Sequence, residues 1–208
     1  MKYFGLLSLI FGLTFYSFSN FNPEPDKSEN QTKGLGATEV SKNKKEIQEL
    51  IRQVMIWSDS KESIELLPAL PDVNNKVYVG FDINKHTANL KKLKETSFFA
   101  NEFIENYNQI ILTLDKKLRN KEIKEWQVGD LPTFNFVNDV SPWCLCQGFS
   151  PEDFDDVEIV KLDRQFGELK WKWKKGSSWN DFRFRVVKDG NKWKVSYMEG
   201  FDFKESIK

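Results

Sequence analysis

Leu169-Lys-Trp-Lys-Trp-Lys174, Asp181-Phe-Arg-Phe-Arg-Val-Val187 and Lys192-Trp-Lys-Val-Ser-Tyr197 are three runs in which large apolar and charged side chains alternate. Successive side chains of a strand point to opposite sides of a sheet, so a period of two reads as three strands with one apolar face. That face carries Leu169, Trp171, Trp173, Phe182, Phe184, Val186, Trp193, Val195 and Tyr197. Each is worth about 1.5–3 kcal/mol on burial, which is ample drive for other elements to cover it. The opposite face carries Lys170, Lys172, Lys174, Arg183, Arg185 and Lys194, with no anion between them in these strands. Lys188-Asp-Gly-Asn191 has the turn chemistry of a hairpin. A further strand is expected from Val157 to Gln165, turning at Phe166-Gly167.

Upstream the period lengthens to that of a helix. Ile47, Leu50, Ile51, Val54 and Met55 line one face of a first helix that ends near Trp57, with Ser41 or Asn43 as its cap. Pro68 and Pro71 bracket a loop, and Lys76 to Phe81 reads as an edge strand or extended segment. A short helix from Thr87 carries Leu90 and Leu93; a longer one carries Phe99, Phe103, Tyr107, Ile110, Leu114 and Leu118 on one stripe. Gly129 to Pro151 is loop-rich. Helices first and antiparallel strands last predict an α+β fold, with N-terminal helices packed on the sheet, and not a parallel doubly wound one.

The N-terminus is organised differently. Met1 to Ser19 has one charge, Lys2, before a run of Phe, Leu and Ile, the layout of a secretory signal peptide cleaved after Ser19. The run is shorter than the roughly 20 apolar residues of a membrane span and is broken by Gly5, Gly12 and Thr14. No Cys lies near for lipid anchoring, so a periplasmic or secreted product without a membrane span is expected. Asn20 to Asn43 is rich in Pro, Gly, Ser and Asn and reads as a flexible leader. Within it, Asn30-Gln31-Thr32 matches a glycosylation acceptor. Lys44 to Lys208 is then a single domain. With 31 basic and 31 acidic side chains the chain lacks the electrostatic footprint of a nucleic-acid binder. Its 18 Phe and 7 Trp supply a core that needs no disulfide staples.

Few constellations carry chemistry. Cys144-Leu-Cys146 offers too few ligands for zinc, so no metal is assigned; in an exported protein the pair is a candidate disulfide, with a labile redox pair and intermolecular pairing as the other options. His86 is the only histidine and falls at a helix start, where a capping or surface role is expected. No nucleophile with a base, and no phosphate loop in the strand-to-helix context, is present, so no catalytic residue or cofactor is assigned. The cationic face has two readings: a solvated surface offset by Glu152, Asp153, Asp155, Asp156 and Glu158, or a docking surface for an anionic protein.

Asp139-Val-Ser-Pro-Trp-Cys-Leu-Cys-Gln147 is similar to the Asp-x-x-Pro-aromatic stretch, followed by Gln and then a strand, of exported bacterial cone domains of unassigned function. With the Trp-rich last strand, Asn43 to Phe203 thus resembles the nuclear transport factor 2-like, or cystatin-like cone, superfamily. The resemblance implies helices wrapped by a curved antiparallel sheet, with a pocket at the open end. Asp139, Trp143, Gln147 and Trp179 are the candidates to line its mouth, the other reading of the tryptophans being that they belong to the core. That fold hosts binding domains and enzymes alike. The expected function is therefore an exported, non-catalytic binding domain for a small ligand or protein partner. The alternatives are a cone enzyme of isomerase, dehydratase or hydrolase type with a carboxylate base, and an immunity-type partner that neutralises another protein.

Overall fold

A computed structural model describes residues 31, 32, 34–148, 154–174 and 181–208. The signal segment, Glu152, Asp153 and Trp179 lie outside these residues. The fold is α+β. Its larger sheet has the order β1-β5-β6-β7-β8, from Gln31–Thr32, Phe154–Leu162, Phe166–Trp173, Phe182–Asp189 and Lys192–Met198. β5 to β8 run antiparallel, while the two-residue β1 pairs parallel with β5. A smaller antiparallel sheet holds β2 (Ala69–Pro71), β3 (Val77–Phe81) and β4 (Trp126–Gln127). The helices are α1 (Ala37–Ser58), α2 (Ile83–Thr96), α3 (Asn101–Arg119) and the single turn α4 (Phe203–Ser206).

The apolar faces meet as the alternation dictates. Leu169, Trp171, Phe182, Phe184, Val186 and Val195 are all at most 1 % exposed, against Ile47, Ile51 and Val54 of α1 and Phe103, Tyr107 and Ile110 of α3. Tyr197 is the exception. A register shift between Arg185 and Val186 pairs Val186 with Val195 but Arg185 with Tyr197, so Ser196 is bulged out. The bulge reverses the facing of the residues beyond it, and Met198 takes the buried place while Tyr197 joins the cationic side.

Other boundaries shift for local reasons. α1 begins at Ala37, inside the stretch expected to be a flexible leader, and neither Ser41 nor Asn43 caps it; the N-cap is Gly36. Val40 packs on the core and Asn43 is buried, extending the Ile47 stripe back by two turns through residues too polar to announce it. α2 starts at Ile83, because the Asp82 carboxylate accepts from Lys85 N–H and caps the helix. The turn expected at Phe166-Gly167 falls at Asp163–Gln165, where Asp163 Oδ1 accepts from the N–H groups of Gln165 and Phe166. β6 therefore includes Glu168, an anion on the cationic face, paired with Arg185. The hairpin between β7 and β8 has Gly190 at φ 60° in the first central position, as a type II′ turn requires.

β3 is the middle strand of its sheet and not an edge. Beyond short β4, its exposed side is closed by side chains: Asp115 Oδ1 accepts from Phe81 N–H at 2.7 Å and Arg119 donates to Phe81 O at 3.3 Å. A Cβ on Gly80 would stand 2.7 Å from Asp115 Oδ1, so this clamp needs glycine there.

Candidate functional site

The Asp139–Gln147 segment folds back on itself. Ser141 N–H donates to Cys146 O at 2.9 Å, Gln147 Nε2 donates to Asp139 Oδ2 at 2.9 Å, and Cys144 and Cys146 form a disulfide. Intramolecular pairing is thus the option realised. The fold-back swings Trp143 inward, 4 % exposed, among Trp57, Phe99, Phe103 and Phe201. Asp139 and Gln147 are brought together, but as a staple across the loop ends. Trp143 is a core anchor, and its backbone neighbour Pro142 packs against Gly200, where a Cβ would come within 2.1 Å of Pro142 O.

The cationic face is a lattice of both signs. Lys172 lies 2.9 Å from Glu158 and 2.6 Å from Asp181; these carboxylates, Asp181 foremost, push its pKa up to about 12. Lys194 pairs with Asp189 at 2.7 Å, Lys44 of α1 with Asp156 at 2.7 Å, and Arg185 stacks on the Tyr197 ring at 4.8 Å. Burial first, and then the Asp202 and Glu199 carboxylates, hold the Tyr197 hydroxyl protonated well above its usual range. Lys170 and Arg183 are register partners, Lys170 facing Glu158 on its other side. Lys174 is exposed just past the end of β6.

His86 is not a cap. It is 1 % exposed in the first turns of α2, its Nε2 2.8 Å from Asn108 Oδ1 of α3 and its ring edge-on to Tyr107. Burial pushes its pKa down, only partly opposed by Asn108. Tyr107 donates to Leu66 O, and burial drives its own pKa up. This buried polar knot joins α2 to α3. Among the described residues no cluster of three or more His, Cys, Asp or Glu is placed to hold a metal.

A groove of about 600 Å³ opens elsewhere, between α1, the α2–α3 connection and the β7–β8 hairpin. Ser97, at φ 60°, ends α2 in the left-handed conformation and turns the chain onto β8. There Val195 N–H donates to Phe98 O and Ala100 N–H donates to Val195 O, both at 2.8 Å, so the connection covers the edge of the sheet. Phe98, Leu50 of α1 and Trp193 of β8 form the apolar floor. Lys45, Glu46, Glu49 and Gln53 of α1 make one rim, Asn191 and Lys192 the other. None of Asp139, Trp143 and Gln147 lines it. The signal that could have found it was the proximity of a hairpin tip and a helix face, which is a tertiary property. No protein-family model, curated protein or solved structure matches the chain.

Proposed function

We propose that this protein is an exported, non-catalytic binding domain that takes its ligand in the groove between α1, the α2–α3 connection and the β7–β8 hairpin. The groove itself carries the reading. Its volume, about 600 Å³, lies in the range of roughly 300–1,000 Å³ usual for ligand sites, and an apolar floor under a polar rim is their usual composition. Export is supported by the signal-like Met1–Ser19 run and by the Cys144–Cys146 disulfide, since disulfides persist in oxidising compartments. Membership of the cone superfamily belongs to the same proposal, supported by helices laid on one face of an antiparallel sheet. A carboxylate-base enzyme finds less support, because a pocket base is a buried acid, whereas Glu46 and Glu49 are exposed on α1. An immunity role would use the cationic face, where Lys172, Lys194 and Arg185 already have partners.

A fragment screen by nitrogen-edited NMR tests the reading. Ligands should shift the amides of Ser97, Phe98 and Lys192 as one group, and Gln53→Trp, which fills the rim, should abolish those shifts. Ligands that bind only elsewhere, or undiminished with the groove filled, would overturn it.

A further inference from the structure

The rim and floor of the groove are unequal in what they have left to offer. Both carboxylates have a neighbour on α1: Glu49 accepts from Gln53 Nε2 at 3.0 Å, and Glu46 forms an exposed ion pair with Lys42 at 3.8 Å. The donors are in the opposite state. Lys45 and Lys192 line the groove with no ion-pair or hydrogen-bond partner among the described residues. At the floor, Trp193 is 5 % exposed, and its indole N–H, itself buried, has no acceptor among the described residues. Two cations without partners beside an apolar floor favour a ligand that supplies an anionic acceptor. Charge-assisted bonds from lysines are the stronger kind. Between them, Leu50, Phe98 and Trp193 offer apolar and aromatic surface but little to recognise a polar body.

We infer that the groove is a site for a small amphipathic acid: a carboxylate on an aromatic or branched apolar body, its charge held by Lys45 and Lys192 and its body on Phe98, Leu50 and Trp193. This rests on the proposed binding role and adds the ligand's class. Glu46 and Glu49 make the opposite choice, a cationic ligand, the natural rival, and matched probes separate the two.

Naphthoate, naphthylmethanol and naphthylmethylammonium share a ring body and carry an anionic, a neutral and a cationic head group. Each is titrated into the full exported protein while the amides of Ser97 and Lys192 and the indole N–H of Trp193 are followed by NMR. Naphthoate should shift these signals saturably and bind about tenfold or more tighter than the alcohol. The double variant Lys45→Gln, Lys192→Gln should lose that margin while keeping the wild-type unfolding midpoint, since both side chains are exposed. Equal affinity for the alcohol, tighter binding of the ammonium, or an unaltered naphthoate affinity in the double variant would each overturn the acid site and leave the binding role standing. Failure of all three probes to move any groove signal would count against both.

Discussion

Trp171 sits at the centre of the buried face, stacked on Phe182 at 5.7 Å and edge-on to Trp173 at 5.6 Å. Trp171→Ala should cost on the order of 3–5 kcal/mol, read from the urea midpoint, because the sheet and helices around it cannot collapse into the void. A near-wild-type midpoint would mean that the site repacks. His86 makes a pH-dependent prediction. Its folded-state pKa is depressed, so the neutral ring is the form that folds, and stability is complete above the unfolded value of about 6.5. Below that pH stability falls, as protons bind the unfolded chain first, until the folded pKa is passed. Comparing urea midpoints from acid to neutral pH, His86→Gln should remove this part of the decline; an identical slope in both proteins would assign it to other groups. The residue scale was partly legible. The burial of Trp171 follows from alternation alone, whereas His86 reads as a surface residue until α3 is laid against α2.

At the scale of elements, the outer face of the sheet separates two cations that looked alike. Lys172 sits between Glu158 and Asp181, while the Arg183 side chain is exposed and has no anionic partner among the described residues. Lys172→Glu should therefore destabilise by about 1 kcal/mol, by adding a third carboxylate to two, whereas Arg183→Glu should stay within about 0.5 kcal/mol of wild type. Equal costs would show the pairing to be of no consequence. The cystine loop gives the complementary test. It closes a very short loop, and chain entropy gives such a loop only about 1–2 kcal/mol. Replacing both Cys144 and Cys146 by Ala should lower the melting temperature modestly and keep the near-ultraviolet circular dichroism of Trp143; collapse of that signal would make the disulfide, and not the Trp57–Phe201 pocket, the holder of Trp143.

At the scale of the whole molecule, the domain's beginning is the boundary that matters. A chain starting at Gly36 keeps all of α1, while one starting at Lys44 loses Val40 and Asn43, which pack inward. The shorter chain should be the less stable by about 1–3 kcal/mol, a loss of buried contacts and two helical turns; equal midpoints for the two would restore the leader to its expected limit. By itself the sequence determined the class of fold, the long α3 stripe, the sheet and, up to the bulge in β8, which strand faces are buried, because the periods of helix and strand are local and hydrophobic burial obeys them. Only the tertiary structure decided the rest. The bulge that turns Tyr197 outward arises from pairing with β7, the polar start of α1 is held by what it touches, and Trp143 is drawn from an expected pocket mouth into the core by the aromatic rings waiting there. The groove has no local signature either, since its walls come from residues some fifty to one hundred and fifty positions apart in the chain, brought together when the α2–α3 connection hydrogen-bonds to β8.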